Sequence, residues 1–219
     1  MTTFRYVGEP YDRAADSGYY GNPGMPGESG QQADTTNIFG NEYCLRAPTD
    51  GSAGGVGGTG SNGAPGIKGR PAPSGNPDLG IVRGTITIEV GGGRGQDGGR
   101  GGDGGEGGIG GYAGGNPWIS RNGGPFQCPC PNAKEGPQGV GGKGGNGGNS
   151  GDGGDGSTIV AYYDSIIEGE IISITVDGDP GMPGDGGQGG KSSSSNYGPG
   201  AKGLPGRPGS ASKVIVRQR

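Results

Sequence analysis

The chain has 219 residues, of which 62 are glycine and 18 proline, and only 26% are hydrophobic, a composition that excludes a large apolar core. Its 17 basic and 21 acidic residues leave a net charge of −4 with no basic stripe, which argues against a nucleic-acid partner. There is no histidine, so Ser-His and Cys-His catalytic arrangements are absent.

Most glycines recur every third position, which is neither the 3.6-residue period of a helix nor the two-residue period of a strand. The chain reads as one modular domain, 1–219, in seven parts. Residues 1–17 hold a short N-terminal strand signal, FRYV, with Phe4 and Val7. Glycine arm one, 18–75, leaves as GYYGNPGMPGESG, passes a tip near 31–50 and returns as GSAGGVGGTGSNGAPGIKGRP. The strand block 76–90 contains IVRGTITIEV, with Ile86, Ile88 and Val90 alternating with polar residues as a half-buried strand does.

Arm two, 91–157, opens in GGX register, with X being Arg94, Asp97, Arg100, Asp103, Glu106, Ile109 and Tyr112. Its tip lies at 116–135, and it returns as GPQGVGGKGGNGGNSGDGGDG. A second strand block, 158–176, contains IIEGEIISITV and aligns with the first if one residue is inserted. That alignment predicts a shared apolar face of Ile86, Ile88 and Val90 with Ile172, Ile174 and Val176. Arm three, 177–210, turns at KSSSSNY and shares the phrases PGMPG and GRP with arm one. The C-terminal strand, 211–219, carries Val214 and Val216. The two terminal strands have too few local partners to stay paired within one chain, and their open edges predict pairing with another copy.

A three-residue period with glycine on two edges is the pattern of a polyproline-II backbone, which makes no hydrogen bonds of its own. Its N–H and C=O groups need neighbours, and glycine edges let neighbours approach. Because each arm doubles back, a parallel collagen triple helix does not fit. The expected fold is a polyglycine-II bundle of about six antiparallel segments on a small β-strand nucleus, with essentially no α-helix. GGX segments belong inside it and Gly-x-Pro segments outside. The alternating Arg94, Asp97, Arg100, Asp103 and Glu106 read as a solvated edge, since exposed pairs contribute about 0–1 kcal/mol.

Nucleotide motifs fail on context. The match to G-x-G-x-x-G at 93–98 and the P-loop-like GQGGKS at 187–192 both lack the helix that must follow. A calcium-binding nonapeptide at 92–97 does not recur. No catalytic residue, cofactor or metal site is therefore assigned. Cys44 lies in the first tip, Cys128 and Cys130 in the second, and a disulfide from Cys44 to either one is expected over a three-thiolate metal site. Phe39, Tyr43, Trp118, Phe126 and Tyr197 fall in the tips, where they either recognise a cell-surface glycan or protein or pack together as end caps.

The alternation of glycine-rich runs such as GGKGGNGGNSGDGG (141–154) with tip loops across 18–209 resembles the polyglycine-II domain of T-even-like phage tail-fibre tip adhesins. Snow-flea antifreeze protein is similar in backbone. The phage resemblance implies a receptor-binding role read out by the tips. The residues themselves point first to a structural subunit of an extracellular filament or virion fibre, with copies of itself as partners and no enzymatic activity. No segment approaches the roughly 20 apolar residues that span a membrane, and MTTFRYVGEPYDR has no export-signal pattern.

Overall fold

The computed structural model describes residues 1–219 apart from 40, 122, 123, 128, 129, 194 and 196, with side chains also undescribed at 41, 118–121 and 124–127. Among the described residues there is no α-helix, so none is long and apolar enough to cross a membrane. The described residues form nine strands: β1 (Thr2–Val7), β2 (Asp34–Ile38), β3 (Asn41–Arg46), β4 (Ile81–Gly91), β5 (Trp118–Arg121), β6 (Gly124–Gln127), β7 (Thr158–Tyr163), β8 (Ser165–Val176) and β9 (Lys213–Gln218). Between them run six extended segments without strand pairing, here runs 1 to 6: 8–33, 49–72, 92–115, 136–156, 178–191 and 198–210.

The runs are joined by backbone hydrogen bonds at every third residue. Run 1 lies parallel to run 3 through Gly18, Gly21, Gly24 and Gly27, whose N–H groups donate to the carbonyls of Arg100, Asp103, Glu106 and Ile109 at 2.7–2.8 Å. Run 3 is bonded in the same parallel sense to run 5, from Gly95 N–H to Asp179 O through Gly107 N–H to Lys191 O. Runs 2, 4 and 6 form a second parallel row, seen in Gly57 N–H to Val140 O and Gly147 N–H to Ala201 O. Across the rows the sense is antiparallel, as in Gly105 N–H to Gly58 O and Gly142 N–H to Gly105 O, both 2.8 Å. Run 3 therefore bonds to runs 1, 2, 4 and 5, and run 4 to runs 2, 3, 5 and 6. Runs 1 and 6 have two neighbours each.

This placement follows from side-chain economy. A run enclosed by four neighbours can spare one edge in three for side chains, which is what GGX supplies in runs 3 and 4. A carbonyl oxygen occupies the space that a Cβ would need: at Gly104 the Gly142 oxygen, and at Gly107 the Gly139 oxygen. Runs 1, 5 and 6, with one neighbourless flank, carry Pro23, Pro26, Pro180, Pro183, Pro199, Pro205 and Pro208, residues with no N–H to leave unmatched.

The same two rows continue as strands. Each odd run is preceded by a strand, and these pair in parallel in the order β1-β4-β8. Runs 4 and 6 are followed by β7 and β9, which pair in parallel, and residues 77–80, after run 2, lie beside β7 through Leu79 N–H to Tyr162 O and Asp164 N–H to Gly80 O. The two layers enclose Ala72, Ile88, Val90, Ile159 and Ala161, with Tyr6, Leu79, Ile171 and Val214 packed against them.

Two expectations about the strands are corrected. The terminal strands are not short of partners: β1 pairs with β4 over Thr2–Val7, and β9 pairs with β7 over Lys213–Gln218. The reason is non-local, because each follows the row of its run and lands beside a strand roughly 55 or 84 residues away. Nor do Ile172, Ile174 and Val176 share the face of Ile86, Ile88 and Val90. A bulge at Val82/Arg83 falls before the Gly84–Gly169 pair, and that register then holds, setting Ile86 opposite Ile171 and Thr87 opposite Ile172. The insertion assumed from the sequence shifts pairing by one residue, and one residue reverses the face of every side chain. Ile88 and Val90 are buried, whereas Ile172 and Ile174 are 37% and 44% exposed on the outer face.

Candidate functional site

Among the described residues no group of three or more His, Cys, Asp or Glu side chains is placed to hold a metal ion, and the clefts are open grooves between runs, such as one lined by Asp97, Arg100, Met182, Asp185 and Lys202. The surface features that stand out are the tips, the charged edges of the runs and the free edges of the three-stranded sheet. The tips come first because most of the sequence candidates lie there. Arm one ends in the antiparallel hairpin β2-β3 and arm two in the antiparallel hairpin β5-β6. Cys44 on β3 and Cys130, after β6, are joined by a disulfide with Cα atoms 5.2 Å apart. Ala33 completes a small buried cluster with them. Asn116 Nδ2 donates to the Cys130 carbonyl at 3.2 Å and to Asn132 Oδ1 at 2.8 Å, which ties the base of the second tip. Cys128 lies outside the described residues.

Phe39 is fully exposed at the β2-β3 turn with φ 51°, a left-handed conformation that a bulky residue rarely adopts. Tyr43 is half exposed, and Ile38 and Leu45, which the sequence reading passed over, stand out beside it. Trp118 and Phe126 belong to β5 and β6 by backbone, and their side chains lie outside the described residues. Tyr197 is exposed but is not at this end. Arm three turns at the level of Gly107, which donates to Lys191 O, eight residues short of Gly115. At roughly 3 Å per residue of extended chain, that is about 25 Å behind the two hairpins. One surface of five aromatics is therefore not what the tips form.

The charged edge of run 3 is more than a solvated one. Arg94 pairs with Asp97 and Arg100 with Asp103, each at 2.6 Å. The same aspartates reach sideways: Asp97 Oδ1 accepts the Met182 N–H and Asp103 Oδ1 the Gln188 N–H, both at 2.7 Å. Run 4 repeats the device, with Asn146, Asn149 and Asp152 accepting from Ala201, Leu204 and Arg207 at 2.7–2.9 Å. The physical need is clear. In a Gly-x-Pro run the N–H of x points along the surface with no backbone acceptor, so a short polar side chain on the neighbouring run supplies one. The solvated-edge reading missed this because it treated run 3 alone. The signal was available as Asx at X positions opposite the x of a Gly-x-y run.

These bonds make the fold acid-sensitive. The Gln188 N–H, with Arg100 adding to it against the opposing effect of burial, holds the Asp103 carboxyl below the ordinary aspartate range. Lys68 and the Ser210 N–H do the same for Asp155, and the Gly80 N–H and Arg219 for Asp78. A carboxyl with a lowered folded pKa contributes stability above its unfolded pKa, about 3.9, and loses it as pH falls through the lower folded value. We expect the melting temperature to drop below about pH 4. Asp103→Asn should be less stable than the parent at pH 6 and show a flatter decline between pH 4 and pH 2, measured by circular dichroism melts. Parallel curves for the two proteins would contradict the assignment.

The three-stranded sheet has two edge strands, β1 and β8, each with a neighbour on one side only. Phe4 and Val7 on β1 are half-buried; Ile166, Ile167, Ile172 and Ile174 on β8 are exposed, as is Val216 on β9.

No family model matches the chain, and no curated protein matches it. Among solved structures, it is similar at 20% identity to the nine polyproline type II helical bundle antifreeze protein of the springtail Granisotoma rainieri, whose crystal waters are described as matching the ice lattice. The match covers 99% of this chain and 100% of that one, with a TM-score of 0.12, too low for the likeness to carry anything about this chain.

Proposed function

We propose that this chain is a structural subunit of an extracellular filament or surface fibre, that its six runs are polyproline-II helices packed as a polyglycine-II bundle, and that copies associate through strand edges. Bonding at every third residue and the GGX register of the enclosed runs support the bundle. The observation that carries the assembly role is a contrast along the molecule. The flanks of the bundle are lined with proline, whereas β8 has exposed isoleucines, no proline and no lysine, and its two charges, Glu168 and Glu170, leave the stretch Ile171–Val176 uncharged. The Cys44–Cys130 disulfide suits an oxidising exterior. No catalytic role is assigned.

A second reading, a receptor-binding adhesin, draws support from Phe39, whose exposure and left-handed backbone mark the kind of strained position that recognition sites retain. Electron microscopy of the purified protein separates the two. Regular polymers support the subunit; dispersed monomers that bind cells or block phage adsorption support the adhesin.

A further inference from the structure

Resting on the self-association reading, we propose that β8 pairs antiparallel with β8 of a second copy, about a twofold axis at Ser173. The edge of β8 offers unpaired backbone donors and acceptors over twelve residues, Ser165–Val176. A partner strand could enter in either sense, and the bundle decides between them. Each odd run follows its strand, so a parallel neighbour joined to β8 as β8 is joined to β4 would lay its run 1 along run 5. That contact would press Tyr20, Pro23 and Pro26 against Pro180 and Pro183, where neither glycine gaps nor proline N–H groups exist. An antiparallel neighbour sends its runs the other way, and only strands meet.

The side chains then select a second copy as occupant. Antiparallel strands in one sheet place directly opposite residues on the same face. With the axis at Ser173, Ile172 lies opposite Ile174 of the second copy, and the reverse, so the two exposed isoleucines of each chain cover one another. Glu170 falls opposite Val176 and Glu168 opposite Gly178 of the second copy. Moving the axis to Gly169 sets Glu168 against Glu170, a like-charge pair that disfavours that register. A twofold contact is self-complementary and closes on itself, so it joins copies in pairs and leaves the other edge strand, β1, for contacts between pairs in a filament.

The test uses the full chain in a Cys128→Ser background. Ser173→Cys should give a covalent dimer with a short bis-maleimide, because only a twofold at this position brings residue 173 against itself. Ile172→Lys with Ile174→Lys, both outward-facing, should weaken dimerisation at least tenfold by sedimentation while leaving unchanged the melt taken at concentrations where both proteins are monomeric. If Phe4→Cys with Ser173→Cys cross-links between chains and Ser173→Cys alone does not, the contact is parallel and this inference is overturned while the subunit reading stands. Self-association unaffected by the double lysine variant, or a foreign strand-forming partner taking the edge instead, also overturns it. A protein monomeric at every concentration removes both.

Discussion

Replacing Gly104 by alanine is expected to unfold a large part of the bundle, with a loss of about 3 kcal/mol or more and a melting temperature lower by about 10 °C. A single methyl has this effect because of what it meets. At Gly104 the added carbon falls on the carbonyl oxygen of Gly142, in a run that is itself hydrogen-bonded on its other sides. Most overpacked cores relax by side-chain rotation, which is impossible when the obstacle is backbone. Run 4 would have to move away, and bonds such as Gly142 N–H to Gly105 O and Gly145 N–H to Gly102 O would go with it. Each buried amide left unmatched costs about 1–3 kcal/mol, so the loss of two or three outweighs the gain in helix-free chain stiffness, about 0.4–1 kcal/mol, that alanine brings. Gly115 is the control. A Cβ there meets only the Gln32 side chain, at 3.9 Å and beyond, and its substitution should shift the melt by less than 2 °C, as about 0.5 kcal/mol or less implies. Equal melts for the two alanine variants would remove the close-packed account of the runs.

What could be read in advance divides by the distance over which the determining interactions act. The absence of helix and the alternating strands of β4 and β8 are local properties of IVRGTITIEV and IIEGEIISITV, and they were legible. Strand register was not. It depends on a bulge at Val82/Arg83 that no local pattern announces, and an insertion chosen to match ITIEV with ISITV gave the opposite face. The partners of β1 and β9 were hidden for a related reason. Their pairing is dictated by the rows of the runs, which bring residues 2 and 86, or 158 and 213, together. At the tips, the aromatic residues were identifiable by type and position, but their grouping was not. The short arm three leaves Tyr197 far behind Phe39 and Tyr43, and arm length can be compared only once the register between runs 3 and 5 is known. The lateral role of Asp97, Asp103, Asn146 and Asn149 belongs to the same class: each residue is ordinary until the run beside it is placed.

Breaking the disulfide by Cys44→Ser should lower the stability of the whole chain, not only of its tips. Cys44 and Cys130 are 86 residues apart, and cross-linking a loop of that length restricts the unfolded chain by about 4–5 kcal/mol. The folded molecule already holds the tips near each other, through Gly30 N–H to Tyr112 O and Ala33 N–H to Gly115 O, so one could expect the bridge to be redundant. It is not, because the effect acts on the unfolded state, where those bonds are absent. Little else secures this end: the buried cluster around the bridge consists of Ala33 and the two cysteines. Cys44→Ser leaves Cys130 without its partner, and the only other cysteine of the chain, Cys128, lies two residues from it and cannot close a comparable loop. We expect the melting temperature to fall by about 10 °C, with the same fall for the parent protein under reductant. Hydrogen exchange below the melt should quicken for the amides of Gly102, Gly105 and Gly108, deep in run 3, as well as in β2 and β3, because amides that exchange through global unfolding report a restraint lost from the unfolded chain. A melt displaced by less than 2 °C, or exchange that quickens in the tips alone, would show that the bridge does not act as a long-range restraint on the unfolded chain.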